Sequence, residues 1–467
     1  LKSYGFIITY QSPDRFSIMV EGPAYLVEKL FNTQLGLYKS YNGEIYYAPV
    51  NTPKIPSFLS NTLIFGLNNY TSFVAPHIVA GKIINRLFVP NTSSKFYNLY
   101  MKKNQLAGSF TYYTPGDFEG AYNVTNIMKY SNKSTIAIID AYGDPLIYQD
   151  VQTFDSMFGL PQANLTVIPI GPYHPSLGVF TGWYVETALD VEAAQSMAPY
   201  AHIYLVVASN SANALFEAVD YVVSEDLANV VSMSWGAPEN TIALTGFYTS
   251  NPLYTEYQFN LGYAYADYYF ALGSAEGISF FASSGDEGAY DATPILNGAV
   301  LFPSTSPFVT AVGGTSLFVN VTSGYLSYMN SSGTYGYENA WSVSPLYGSS
   351  EVGSTGGYSS LIPKPWYQIG VVNGTYRAVP DVAADANPYN GFVEIVMGST
   401  MVIGGTSLAS PLWAGVVADI DGYLNTSLGL LNPILYKIYE NKTLYDMAFH
   451  KITFGYNGYY LATSGYN

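Results

Sequence analysis

Thr135-Ile136-Ala137-Ile138-Ile139-Asp140-Ala141 is the stretch that decides the fold. It is apolar on consecutive residues rather than alternate ones, so it reads as a strand covered on both faces. Three runs of similar texture follow: His202–Val207, Val230–Ser234 and Ile278–Ala282. Helical stretches lie between them. Tyr148–Gly159 is stopped by Gly159-Leu160-Pro161, and Trp183–Ala198 is ended by Pro199. Ala212–Leu227 and Tyr257–Leu272 complete the set. Buried strands alternating with helices specify the α/β class, a parallel sheet with helices on both faces. There is no internal repeat of the solenoid kind.

Outward from that core the texture changes. The chain has 467 residues, 49% of them hydrophobic, enough for one large core and a smaller second one. Residues 1–90 read as a small α+β unit. Phe6–Thr9 and Phe16–Val20 are strand-like, Ala24–Phe31 has helical spacing of apolar residues, and Tyr46–Ala48 is another short strand. Residues 91–113 are polar, without sustained period, and read as a linker that holds a processing site. Residues 114–467 carry the alternating pattern.

Composition excludes several functions. Charged residues are only 11%, and 17 Lys and Arg face 33 Asp and Glu, a net charge of −16. Arginine is confined to Arg15, Arg86 and Arg377. So few cations cannot neutralise a phosphate backbone, and anionic membranes repel the chain, so neither nucleic acid nor a membrane surface is a partner. No apolar run reaches the roughly 20 residues of a membrane span. The carboxyl excess suits an acidic milieu, where protonation leaves few like charges to repel one another. Cysteine is absent, so disulfides and thiolate metal sites are excluded. Asn-X-Ser/Thr acceptors occur at Asn69, Asn91, Asn123, Asn132, Asn164, Asn320, Asn330, Asn373, Asn425 and Asn441. With 46 Tyr they point to an extracellular glycoprotein. A first residue of Leu1 rather than Met fits removal of a signal peptide or trimming of the chain.

The sharpest motif is Gly405-Thr406-Ser407-Leu408-Ala409-Ser410-Pro411. It follows an apolar strand read over Glu394–Ile403 and opens a helix of small residues, Ala409–Ala418. A serine there stands at a helix N-terminus, whose dipole and free N–H groups favour charge developing on an attacked carbonyl oxygen. Spacing alone is a weak signal, since Gly314-Thr315-Ser316 repeats the tripeptide before Leu317-Phe318-Val319, which reads as a strand. A nucleophilic serine needs a base. The four histidines, His77, His174, His202 and His450, lie in the leading unit, in loops or at a strand opening, and each reads as structural.

Carboxyls serve better. In Trp183-Tyr184-Val185-Glu186-Thr187-Ala188-Leu189-Asp190, Glu186 and Asp190 share one helix face, while Glu192 points elsewhere. Two carboxyls in contact can share a proton. Such a pair accepts a serine proton in acid, where an imidazole is already charged. Val185, Ala188, Leu189, Ala193 and Ala194 are apolar or small, which favours a buried helix over a solvated acidic stripe. Buried carboxyls are costly and ask for a reason. Asp286, in Ser283-Ser284-Gly285-Asp286, follows a buried strand at the end where sheet enzymes place their sites. Kept protonated it can donate to an oxyanion. Taken alone it reads as a turn residue.

In order along the chain these motifs resemble the sedolisin family of serine-carboxyl peptidases, in the kumamolisin-like form that carries an activation prodomain. The resemblance rests on Glu186 and Asp190, Ser232-Met233-Ser234-Trp235-Gly236, Ser284-Gly285-Asp286, Phe302-Pro303 through Val312-Gly313-Gly314-Thr315, Pro380-Asp381-Val382-Ala383-Ala384, and Gly405-Thr406-Ser407 through Pro411. It spans Thr114 to the C-terminus. Val20-Glu21-Gly22 and Gly66-Leu67-Asn68 tie residues 1–90 to the prodomain.

The resemblance implies a subtilisin-like α/β fold and a secreted zymogen that hydrolyses peptide bonds in acid, inhibited by its own prodomain. It implies Ser407 as nucleophile, Glu186 as general base and acid, and Asp190 as the residue that orients Glu186. Asp286 becomes the protonated oxyanion donor, beside the Ser407 backbone N–H. Asp140 and Trp235 fall where some members extend the carboxyl network. Ser232, Ser234, Gly236, Gly356 and Gly357 fall in the substrate cleft. The family binds calcium near its C-terminus, but Lys451 stands in place of its first aspartate ligand and Asn467 in place of a later one. An ammonium cannot ligate a hard cation, so no cofactor is expected, calcium is disfavoured, and Lys451 would set a tethered positive charge in the metal's place. Two other readings remain: a catalytically silent surface or scaffold protein on a peptidase fold, and a Ser-His-Asp subtilase, which lacks a convincing histidine.

Overall fold

The structure, a computed structural model, describes residues 1–39, 45–60, 62, 64–69, 78–84, 87–90, 111–239, 252–289, 300–321, 333–343, 352–458 and 460–466. The leading unit contains an antiparallel pair, β1 (Ile7–Gln11) and β2 (Ile18–Glu21), the helix α1 (Ala24–Phe31), and a second pair, β3 (Leu35–Lys39) and β4 (Ile45–Pro49). It continues into β5 (Ile78–Ile84) and β6 (Leu87–Pro90). Most of the expected linker, residues 91–110, lies outside the described residues. Its last three residues are a strand, β7 (Thr111–Tyr113), built into the larger unit.

That larger unit has one main sheet. Its strands are β8 (Thr135–Ala141), β9 (Asn164–Ile170), β10 (His202–Ala208), β11 (Val230–Met233), β12 (Ser279–Ser283), β13 (Thr310–Val321), β14 (Gly333–Ala340) and β15 (Val382–Asp385). Their order is β14-β13-β12-β11-β8-β10-β9, with β15 also paired to β13. Every pairing is parallel except that of β13 with β14. The consecutive apolar residues of β8 explain this. Ile136 and Ile138 enter the core on one face, and Ala137 and Ile139 enter the core on the other. The first face is covered by α2 (Ile147–Phe158), α3 (Trp183–Met197) and α6 (Thr406–Leu424). The second is covered by α4 (Asn213–Ser224) and α5 (Pro252–Glu276). Gly314-Thr315-Ser316, the motif's repeat, lies inside β13 rather than before a strand. Among the described residues no helix is long and apolar enough to cross a membrane.

One expected strand is two. Glu394–Ile403 folds as a hairpin, β16 (Asn390–Val396) and β17 (Ser399–Gly404), joined at Met397-Gly398. Both turn residues have positive φ, 49° and 68°, the geometry of a tight hairpin turn. Glycine accepts it freely; a methionine there leaves no sequence signal. The hairpin anchors a second sheet, β6-β5-β17-β16-β7. β5, from the leading unit, runs antiparallel on β17, the strand that feeds Ser407. The leading unit also docks on the far face. Ser17 Oγ donates to Glu217 and, at 3.0 Å, to Asp220, while Tyr269 OH donates to Asp14 Oδ2 at 2.7 Å.

What brings the serine helix to the acidic helix is a glycine. α6 crosses α3 at Gly415, where a Cβ would stand 2.5 Å from Met197 Cβ and 3.2 Å from the Ala194 carbonyl oxygen. No side chain fits there unless the helices part. Gly415→Leu should therefore destabilise the fold by about 1–3 kcal/mol, seen as a lowered denaturation midpoint, and should lower peptidase activity beyond that loss of folded protein. An unchanged midpoint would show that the helices do not meet there.

Candidate active site

Ser407 sits on the first turn of α6, fully buried. The helix starts at Thr406, three residues earlier than the small-residue run suggests. Pro411 explains a contact there. It has no N–H, so the Ser407 carbonyl loses its partner four residues on. Ser234 fills the gap: its Oγ donates to the Ser407 oxygen at 3.2 Å. The same hydroxyl lies beside Asp190, where it favours the ionised form. Ser234 thus bridges the serine helix and the carboxyl helix.

Glu186 and Asp190 are both 0% exposed. Nearly all of α3 is buried, which excludes a solvated acidic stripe. Burial is the main cause holding Asp190 well above the ordinary aspartate range, followed by Asp140 and Glu186. Asp140, at the end of β8, is raised first by burial and then by Glu186, with the Thr187 hydroxyl opposing. The three carboxyls therefore form one mutually repelling group in a dry interior. Trp235, expected to extend it, donates its Nε1–H to the Ile139 carbonyl at 2.8 Å. It braces the strand that presents Asp140.

Asp286 reaches Ser407 from the other side. Its Oδ1 accepts from the Thr406 backbone N–H at 2.7 Å and from Thr406 Oγ1 at 2.9 Å. Its Oδ2 is buried and has no hydrogen-bond partner among the described residues. Burial pushes this carboxyl well above its usual range; the Thr406 bonds pull down, Glu287 and Glu186 push up. That direction favours the neutral carboxyl beside the first turn of α6. Gly285 makes the turn. Its φ is 111°, and a Cβ would lie 2.6 Å from Leu301 Cδ1. The Gly285 N–H donates to Thr406 Oγ1 at 3.0 Å, so one threonine hydroxyl fixes both residues.

Gly356 and Gly357 follow a segment laced to Asp286. Thr355 N–H donates to the Gly285 oxygen and Gly353 N–H to the Asp286 oxygen, each at 2.8 Å. Gly236 crosses close to Leu301 and Phe302. Ser232 is a correction: its hydroxyl is buried beneath α6, 2.9 Å from Ser410 Oγ, so it packs the helix rather than lining a cleft.

The histidines stand elsewhere. His202 pairs with Thr166 Oγ1 at 2.8 Å, His450 stacks on Tyr335, and His174 is exposed. His77 lies outside the described residues, as does Asn467. Lys451 pairs with Asp446 and lies 5.6 Å from the centre of the Tyr445 ring. A cation at the position of a first calcium ligand does not fit that metal, and no step of the chemistry is routed through it. Among the described residues no group of three or more His, Cys, Asp or Glu is placed to hold a metal ion.

Two features escaped the sequence reading. Thr406 is the clamp on Asp286; its only signal was its place beside Ser407. Arg377 and Asp381 form a fully buried pair, Nη1 to Oδ1 2.8 Å, and Asp381 also accepts from the Ala311 N–H, so the Pro380-Asp381-Val382 motif ties the chain to β13.

Residues 1–70 match the pro-kumamolisin activation domain, and residues 187–428, just over half of the chain, match the subtilase family. The chain is 29% identical to kumamolisin of Bacillus sp. (strain MN-32), over 94% of this chain and 72% of that protein. It is also 29% identical to sedolisin of Pseudomonas sp. (strain 101), over 100% of this chain and 73% of that protein. Among solved structures, Pseudomonas sedolisin, a serine-carboxyl proteinase complexed with two molecules of pseudo-iodotyrostatin, superposes with a TM-score of 0.64 at 27% identity, covering 77% of this chain and 94% of that one. The chain belongs to the subtilase family, as a sedolisin-type peptidase that carries its activation prodomain and is therefore a zymogen.

Proposed function

We propose that this zymogen matures into a secreted, acid-active endopeptidase whose serine is switched on by carboxyl groups. The observation that carries the reading is the buried group of Ser407, Glu186, Asp190 and Asp286, held together by Ser234 and Thr406, with none of the described histidines near it.

Ser407 Oγ attacks the carbonyl carbon of the scissile bond as its proton passes to Glu186. The carbonyl oxygen becomes an oxyanion, bound by the proton on Asp286 and by the Ser407 N–H. Glu186 returns the proton to the leaving amine, and the peptide is left as an acyl-enzyme on Ser407. Water then attacks with Glu186 as base, and the carboxylic acid departs. Asp190 holds Glu186 in place and spreads its charge. Acid suits each part. Asp286 donates only while protonated, so raising the pH through its elevated range removes the donor. The chain's few cations and many sequons fit an acidic extracellular setting.

The leading unit keeps this machinery shut. β5 adds a strand to the sheet edge beside Ser407, and Ser407 and Glu186 are fully buried in the uncut chain. Maturation should cut the chain between Pro90 and Tyr113 on acid incubation. N-terminal sequencing checks this, and an uncut chain with full activity would overturn it.

In matured protein, Ser407→Ala, Glu186→Gln and Asp190→Asn should each lower kcat/KM on a denatured protein substrate by at least about 100-fold. Asp286→Ala should cost about 100- to 1,000-fold in kcat with little change in KM. Near-native rates in Glu186→Gln would remove the proposed base. Silence of the unaltered mature protein at every pH would leave the scaffold reading.

A further inference from the structure

Two arms of chain flank Ser407. One runs Ser234-Trp235-Gly236-Ala237-Pro238-Glu239 and is tied to the serine helix by Ser234. The other runs Gly353-Ser354-Thr355-Gly356-Gly357-Tyr358-Ser359-Ser360 and is tied to the Asp286 turn through Gly353 and Thr355. Leu301 stands between them. A Cβ on Gly236 would lie 2.9 Å from Leu301 Cβ, and one on Gly285 would lie 2.6 Å from Leu301 Cδ1 and 2.8 Å from Thr355 Oγ1. A two-residue antiparallel pairing of Ala237-Pro238 with Leu301-Phe302 holds the first arm there.

Beyond the glycines the arms meet on one side chain. Glu239, at the end of the first arm, is only 2% exposed, and its carboxyl turns to the second arm. Its Oε1 and Oε2 accept from Ser359 Oγ at 2.8 and 2.9 Å. Oε2 also accepts from the Ser360 N–H at 2.9 Å and from Ser360 Oγ at 3.4 Å. The direction of the Ser359 hydroxyl is fixed. Its oxygen accepts from the Leu361 and Ile362 N–H groups at 3.1 and 2.7 Å, which occupies both lone pairs and leaves its one hydrogen for Glu239. Glu239 has no ion pair among the described residues. A buried carboxyl is costly, and apolar packing would join two segments without that cost. What the carboxyl adds is direction: two oxygens facing fixed donors set spacing and register together.

We infer that Glu239 is a positioning residue for the peptidase reaction, a clasp that sets the separation of the two arms between which the peptide substrate lies. The inference rests on the proposed active site, with Gly236, Gly356 and Gly357 at the edges of its cleft. Glu239 acts through the arms rather than on Ser407. Its loss should loosen the hold on an extended peptide while the serine and its carboxyls stay in place.

The test sets two substrates against the mature enzyme. One is an internally quenched peptide long enough to run along both arms. The other is p-nitrophenyl acetate, a small ester that needs only Ser407 and its oxyanion donors. In Glu239→Gln an amide NH2 replaces an acceptor and faces Ser359, whose lone pairs are already taken. Its KM for the peptide should rise about tenfold, with ester hydrolysis staying within about twofold of wild type. Ser359→Ala should do the same. The double variant should exceed the larger single effect by no more than about twofold, because both changes cut one contact.

A peptide KM that does not move overturns the inference. So does a fall of both activities together, which is what a merely structural role would give, and so do single effects that multiply. Should Glu239→Gln not fold, Ser359→Ala decides alone, since it leaves the carboxyl its Ser360 N–H bond. Failure of the underlying reading looks different: the unaltered enzyme would then hydrolyse neither substrate, or would survive Glu186→Gln.

Discussion

The structure depends on the close crossing of two helices, one carrying Ser407 and the other Glu186 and Asp190. Gly415 lets α6 lie on α3 at Met197 and Ala194, and the crossing buries Ser407, Glu186 and Asp190 together. Burial then does the electrostatic work. In water two carboxylates four residues apart would simply both ionise. In this interior Asp190 is raised by desolvation first and by Asp140 and Glu186 second, and Asp140 by desolvation and then by Glu186. The same packing step that completes the core therefore sets the environment of the proposed base. Pro411 adds to it by freeing the Ser407 carbonyl for Ser234, so a residue that weakens a helix locks this one to its partner.

Scarcity of cations runs through the whole molecule. The buried Arg377–Asp381 pair is an exception, and it serves the scaffold. Elsewhere in the interior many carboxyls are met by hydroxyls and by backbone N–H groups. Glu217 and Asp220 receive Ser17 and Tyr265 at the seat of the leading unit. Burial lifts Glu217 to about 7, Glu338 to about 7 and Asp419 to about 8. Groups raised in this way bind more protons folded than unfolded, so the stability they contribute is complete in acid and drains away as pH climbs through those values. The fold thus favours acid, the medium proposed for the reaction.

Much of this was legible in the sequence, for identifiable reasons. Strands apolar on consecutive residues and helices ended by Gly159 or Pro199 carry their own signals, and the four strands read from them lie together in the main sheet, which holds four more. The i, i+4 spacing of Glu186 and Asp190 needed only helix geometry. What stayed hidden was tertiary. The turn at Met397-Gly398 puts a methionine at positive φ, so the hairpin read as one strand. Thr406 and Asp286 are 120 positions apart, and no local pattern joins them. The family resemblance implied Ser232 as a cleft residue, yet its side chain turns under α6 to Ser410.

The central claim is that no imidazole takes part in activating Ser407. The most direct measurement is the single-turnover rate of acylation of mature enzyme, followed from about pH 3 to pH 8 with a chromogenic peptide. Carboxyl activation predicts rapid acylation in the acid range, falling as the pH approaches neutrality, with no rise near 6.5, where histidine titrates. A rate that climbs through that value to a neutral or alkaline plateau would contradict the account.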